Sequence, residues 1–255
     1  MWYPIKSYLK FLSKASNQHG VHSPFVYQFV TKCLYDRKHH SSYQLLKAYK
    51  SGLLTSEEII EVTDFGAGSR IFKSNRRAVK DIAKYAGATL KRMRLLCRVV
   101  SYFNAENSLE LGTSVGLATA GLVLGGSKVT SLEGCPQTAG VAQKHLEKLN
   151  SSNFEIVLGD FKKTLEEQIC KKFDLIYFDG NHSKEATLNY FEQLLPTVVN
   201  DTVWIFDDIY WSAEMTEAWE QIKNSNQVRV TLDCYWLGFV FFRKEQVKEH
   251  FKIRL

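Results

Sequence analysis

A chain of 255 residues, 45% hydrophobic and 24% charged, can bury a full core and has the composition of an ordinary globular protein. No apolar run approaches the ~18 residues that cross a bilayer, and the five cysteines form no CxxC pair, so the sequence predicts a cytoplasmic protein with reduced core thiols, no disulfide framework and no zinc site. The net charge of +6 is unevenly placed: residues 1–107 hold 18 Lys and Arg against 7 Asp and Glu, and the remainder holds 15 against 20. Such a basic front half fits either an acidic partner or a solvated helical surface.

In chain order, residues 2–14, 24–35 and 42–54 carry apolar residues at three-to-four spacing and predict helices. Ser23-Pro24 reads as an N-cap followed by proline at the first helical position. Residues 75–86 and 89–103 predict two more helices split at Gly87. From residue 108 the rhythm changes. Short apolar runs at 108–111, 128–132, 154–157, 173–178 and 202–206 alternate with helical patterns at 115–124, 136–149, 161–170, 184–195 and 212–223. That alternation predicts an α/β fold, a Rossmann-like sheet that is mostly parallel. Two last strand runs, 228–233 and 236–243, are separated by only Cys234-Tyr235, which permits an antiparallel hairpin and no crossover helix. The expectation is therefore a seven-stranded sheet ending on that hairpin, over residues 108–255. Residues 1–107 read as a mainly helical cap that selects substrate.

Two glycine turns compete for a ligand. "TDFGAGSR", residues 63–70, follows an apolar run, but the basic stretch after it holds no second strand ending in an acid. "ELGTSVG", residues 110–116, has the whole frame: a strand before it, an apolar helix after it, then "KVTSLEG" ending in Glu133, 23 residues beyond Glu110. Ligand-binding turns of open α/β sheets need that acid to hold ribose hydroxyls. Residues 110–116 are thus the expected site, with Gly112 for close approach and Gly116 for helix packing. Residues 64–70 become a shaped connection, expected to lie across the cofactor mouth as part of a lid.

From Glu110 onward the motifs resemble those of class I S-adenosylmethionine (SAM) methyltransferases, order included. The resemblance implies SAM as cofactor, held by Glu110, Gly112, Ser114, Gly116, Glu133 and, on the adenine side, Asp160 and Phe161 of "LGDF", with Asp179 after the fourth strand. "DGNH…E" followed by "FDD" is similar to the small-molecule O-methyltransferases of the catechol and macrolide-sugar type. The full chain, with "HGVHSPFVYQFV", "DFGAGSR" and "LEGCP", resembles a bacterial group of O-methyltransferases common in Bacteroidetes. A small-molecule hydroxyl as methyl acceptor is what this likeness implies.

Methyl transfer from a sulfonium is an in-line displacement that needs alignment and often removal of a hydroxyl proton. Asp179 ends the fourth strand run and Asp207-Asp208 the fifth. Three carboxylates meeting at one sheet edge would need a cation or raised pKa values; the catechol-type relatives imply a divalent metal such as Mg²⁺ on Asp179, Asp207 and Asp208. The alternative is that Asp179 contacts SAM or backbone amides and that Asp207 or Asp208 caps the helix starting near Trp211. His182, three residues after Asp179, is the candidate general base, with Asp179 beside it. Two other functions stay open: an RNA methyltransferase using the basic front half, although Asp179-Gly180-Asn181-His182 lacks the proline-rich motif of base N-methylating enzymes, and a SAM-binding protein without catalysis. The aromatic N-terminal residues Trp2, Tyr3, Tyr8 and Phe11 suit a homodimer contact.

Overall fold

A computed structural model describes residues 2–63, 65, 68, 72–149 and 151–255. In chain order the elements are α1 (Trp2–Leu12), α2 (Pro24–Phe29, continued by a π turn, Val30–Leu34), α3 (Ser42–Leu54), β1 (Ile59–Glu61), β2 (Arg76–Ala78), α4 (Val79–Asp81, continued by a π turn, Ile82–Ala86) and α5 (Leu90–Phe103). Then follow β3 (Asn107–Leu111), α6 (Leu117–Leu124), β4 (Lys128–Glu133), α7 (Pro136–Leu146), β5 (Phe154–Leu158), α8 (Phe161–Thr164), β6 (Leu175–Phe178), α9 (Lys184–Leu194), β7 (Val203–Asp207), α10 (Ala213–Asn224), β8 (Val230–Asp233), β9 (Leu237–Phe241) and β10 (Glu249–Lys252). The protein has the expected α/β fold, with mostly parallel central strands and flanking helices. Among the described residues these strands number eight, one more than expected; β10 is the addition.

The chain divides into two compact units, residues 37–167 and residues 1–36 with 168–255. In the first, β3, β4 and β5 are parallel neighbours, and β1 pairs antiparallel with β2. Arg76–Ala78 is therefore a strand where helical spacing predicted a helix, because it closes a hairpin on Ile59–Glu61 before the helix starts at Val79. Helix α6 is buried along almost its whole length and lies against α5. Gly121 and Gly125 make that closeness possible. A Cβ on Gly121 would lie 2.8 Å from the Met93 carbonyl oxygen, and one on Gly125 2.8 Å from that of Cys97. Thr89 caps α5 by accepting from Arg92 N at 3.2 Å, and Asn104 ends it in the left-handed region.

In the second unit the strand order is β6–β7–β9–β8–β10, with β6 and β7 parallel, β7, β9 and β8 antiparallel, and β10 parallel to β8. The expected antiparallel hairpin is thus present, followed by a strand of charged and aromatic residues whose short run gave little periodic signal. Its core is aromatic: Trp204, Trp219, Tyr177, Phe29, Phe206, Phe239 and Phe241 are all fully buried. The Phe178 and Phe206 rings stack at 4.2 Å, and Gly238 lets the Trp219 indole pack on the β9 backbone. Ser23 caps α2 with Pro24 at its first position, as the sequence predicts. Phe11 is buried against Tyr235 and Tyr210, and Tyr3 Oη donates to Thr216 Oγ1 at 2.7 Å, so part of the aromatic N-terminal helix serves the unit's own packing. All five cysteines are free thiols, four buried and Cys170 exposed. Among the described residues, no helix is long and apolar enough to cross a membrane.

Candidate active site

The glycine turn after β3 is built from three left-handed backbone positions, Gly112 (φ +103°), Ser114 (φ +50°) and Gly116 (φ +77°). Gly112 N and Thr113 N both donate to the Leu132 carbonyl, at 2.9 and 3.2 Å, which ties the turn to the end of β4. At Gly116 the absence of a side chain has two causes. Its φ disfavours any L-residue, and a Cβ would sit 2.4 Å from Tyr49 Oη. Tyr49, buried on α3, donates to the Val115 carbonyl at 2.9 Å and so clamps the turn from the front half of the chain.

Beneath the turn runs a buried hydroxyl network. Thr119 Oγ1 and Ser131 Oγ each donate to Glu110 Oε2 at 2.6 Å, and Thr113 Oγ1 bonds to Ser131 Oγ. Glu110 is 0% exposed, and among the described residues its second oxygen, Oε1, has no hydrogen-bond partner. Burial pushes its carboxyl up to about 8, against the opposing pull of the Ser131 and Thr119 bonds, so at neutral pH it is mainly a neutral acid.

Glu133, at the end of β4, turns its carboxylate to the same connection: Oε2 accepts from Ser114 N at 2.6 Å and Oε1 from Cys135 N at 2.8 Å. Burial raises its pKa, opposed by those two backbone donors. Asp160, exposed, caps the four-residue α8 by accepting from Lys162 N at 2.9 Å, with Phe161 half-buried beside it and Gly159 at φ +154° before it. Helix α8 is shorter than the ten residues expected, ending at Thr164. The sequence-predicted residues Glu110, Gly112, Ser114, Gly116 and Glu133 are therefore one connected assembly within the first unit.

Asp179, His182, Asp207 and Asp208 belong to the second unit. His182 Nε2 lies 3.9 Å from Asp179 Oδ1, an ion-pair distance too long for a hydrogen bond, and both are about three-quarters buried. The imidazole lies 5.8 Å from the Trp211 ring. Asp207 is buried, with Oδ2 accepting from Tyr177 Oη at 2.8 Å and Oδ1 from Asp208 N at 2.9 Å. Asp208 has φ +50°, and its N–H also reaches the Trp236 carbonyl at 2.7 Å.

Two expectations change here. Asp179, Asp207 and Asp208 do not converge as a ligand set: among the described residues no three His, Cys, Asp or Glu side chains gather to hold a metal ion. Asp207 is bonded at both oxygens to protein donors, Tyr177 Oη and Asp208 N. Nor does Asp207 or Asp208 cap α10. That cap is Ser212, which accepts from Met215 N at 3.0 Å. Lys184 pairs with Glu217 at 2.8 Å, and Glu185 sits in the first turn of α9.

In residues 64–70, Asp64, Gly66, Ala67, Ser69 and Arg70 lie outside the described residues, and with them the lid expectation. Gly68, at φ +78°, adopts the glycine-favouring backbone expected there. Sequence reading missed Tyr49, Thr119, Ser131 and Tyr177. Ser131 carried a signal, a polar residue inside a buried strand; Tyr49 sits at a core position of α3 and carried none.

Residues 109–209 match the family model of a methyltransferase domain. No curated protein matches the chain. Solved structures share its fold. The SAH-bound methyltransferase PaMTH1 of Podospora anserina is 10% identical, over 88% of this chain and 97% of that one, with a TM-score of 0.61. The O-methyltransferase of Bacillus cereus in complex with SAH is 19% identical over 84% and 96%, with a TM-score of 0.54. The O-methyltransferase TomG of Streptomyces achromogenes, in complex with SAM and involved in tomaymycin synthesis, is 12% identical over 81% and 91%, with a TM-score of 0.55.

Proposed function

We propose that the chain is a SAM-dependent methyltransferase acting on the hydroxyl of a small molecule. The observation that carries this is the turn at residues 110–116, with its three left-handed positions tied to the Glu133 carboxylate. The residues fit the cofactor. The turn lets a ligand approach the backbone closely, Glu133 offers a carboxylate for a sugar diol, and Glu110 Oε1 is a buried polar atom that still lacks a partner. Gly112, Ser114 and Gly116 would hold the methionine end, Glu133 the ribose, and Asp160 and Phe161 the adenine side. Glu110 acts from behind, supporting the turn through Ser131 and Thr119. The bound sulfonium supplies an electrophilic methyl group.

On the acceptor side, His182 takes the hydroxyl proton on its imidazole, and Asp179, 3.9 Å away, stabilises the imidazolium that results. Trp211 lies beside that ring, 5.8 Å between centroids. Asp207 keeps a structural post, fixing the end of β7 through Tyr177 and Asp208 N. Selection of the acceptor by residues 1–107, a cytoplasmic setting, a homodimer and the bacterial O-methyltransferase branch complete the proposal. The likeness in fold to the Bacillus cereus O-methyltransferase supports oxygen as the methylated atom. Calorimetric titration with SAM, S-adenosylhomocysteine (SAH) and NAD tests it. Micromolar binding of SAM and SAH is expected, and binding of NAD alone would overturn it. Methyl transfer to a panel of phenols and sugars then tests the acceptor, and transfer only to RNA would overturn the small-molecule assignment.

A further inference from the structure

Phe65 is a large aromatic side chain left 58% exposed. It is nonetheless placed with care. Val62 N donates to Asn75 O at 2.8 Å, Glu61 N to Gln137 Oε1 at 3.0 Å, and Thr63 N to Cys135 Sγ at 3.4 Å, while that thiol faces Glu61 O at 3.8 Å. The first bond closes the hairpin, and the other three contacts stitch the strand end at 61–63 onto the connection at 133–137. The Phe65 ring arrives against Gly134, where a Cβ would lie 2.6 Å from Cδ2 and 3.0 Å from Cε2. A side chain at 134 would occupy the ring's own position. Gly134 directly follows Glu133, whose carboxylate is bonded to Ser114 N of the glycine turn. An exposed aromatic ring and a carboxylate suited to a diol thus stand one residue apart on the same connection.

A flat base attached to a sugar diol matches that pair, because aromatic faces stack on any base and carboxylates accept from vicinal hydroxyls. We propose that Phe65 is a nucleoside-positioning residue whose ring packs on the adenine of the cofactor, with Gly134 kept small to admit it. The inference rests on the SAM reading above and adds a binding residue from outside the motif region. Stacking is indifferent to the sulfur end, so its loss falls equally on SAM, SAH and adenosine.

The test is titration of the full chain and its Phe65→Ala, Phe65→Trp and Gly134→Val variants with SAH and with adenosine, alongside thermal melts. Expected is a loss of affinity of about tenfold or more for both ligands in Phe65→Ala, with an unchanged melt because the ring is exposed. Phe65→Trp should retain binding and show indole quenching by the base. Gly134→Val should mimic the loss by displacing the ring. Unchanged affinity in Phe65→Ala, or a loss for SAH that adenosine does not share, would overturn the assignment while leaving the cofactor reading intact. Failure of the unaltered chain to bind either ligand would overturn both.

Discussion

The glycine turn at 110–116 and the acidic stretch at 179–208 both end strands with carboxyl groups, yet they handle those groups in opposite ways. At the turn, Glu110 is buried as a neutral acid with one oxygen unpaired, and the backbone is held in left-handed conformations by distant residues. In the acidic stretch, Asp207 is buried with both oxygens bonded, one of them by its own neighbour's amide. The first is a site with polar capacity still unspent. The second spends Asp207 internally and keeps Asp179 and His182 as a pair 3.9 Å apart. Carboxyl groups at strand ends are therefore not equivalent evidence of function; Glu133 is bonded to the glycine turn itself, whereas Asp207 is bonded to a core tyrosine and its own neighbour.

The comparison breaks most sharply at Gly116. Gly116→Val forces a β-branched residue into φ +77° and onto Tyr49 Oη; a stability loss of about 4 kcal/mol is expected from strain plus overpacking, with SAH affinity reduced at least about a hundredfold. Denaturant melts and calorimetry measure both, and near-normal values would show the turn to be more plastic than drawn.

Next comes the buried acid. The folded pKa of Glu110 is raised from 4.5 to about 8, so the native state binds the extra proton between these values. Its contribution is fully present below pH 4.5 and is lost as pH rises through about 8, at up to about 1.4 kcal/mol per unit. Comparing unfolding free energies at about pH 5.5 and 7.5, the native chain should lose about 3 kcal/mol more than Glu110→Gln. Parallel pH profiles would mean that the carboxyl is ionised after all.

For the Asp179–His182 pair, His182→Ala should lower kcat by about a hundredfold while leaving SAH affinity within twofold; steady-state kinetics with a responsive acceptor measures both, and an unchanged kcat would remove His182 as the base. Tyr177→Phe removes a buried hydroxyl donor from Asp207, and a loss of about 2 kcal/mol in thermal or denaturant stability is expected. The smallest effect belongs to Tyr49→Phe, about 1 kcal/mol in stability with a severalfold rise in the SAH dissociation constant, since it removes a single bond to Val115 O.

The alternation of strands and helices after residue 108 was legible because buried parallel strands read as short apolar runs between helical periods, and β3, β4, β6 and β7 fall where expected. The glycine turn and its acid were legible for a related reason: their spacing is dictated by one strand, one helix and the next strand. Three things were hidden. β10, with Glu249, His250 and Lys252, has too few apolar residues to announce a strand. The short β2 lies where Val79 and Ile82 extend a helical pattern backwards over Arg76–Ala78. The bond from Tyr177 Oη to Asp207 was hidden as well, because no sequence pattern encodes the direction of a buried hydroxyl.

The contact between Gly121 or Gly125 and the α5 backbone has a consequence for variation. Helix α6 carries Gly116 at its N-terminal cap, and its position is fixed from behind by the near-zero thickness of those two residues. Any added side chain at 121 must push the helix off Met93 O and carry the turn with it. Natural or selected variants at this buried, uncharged position would then register as changes in ligand affinity, although residue 121 has no polar group to offer a ligand.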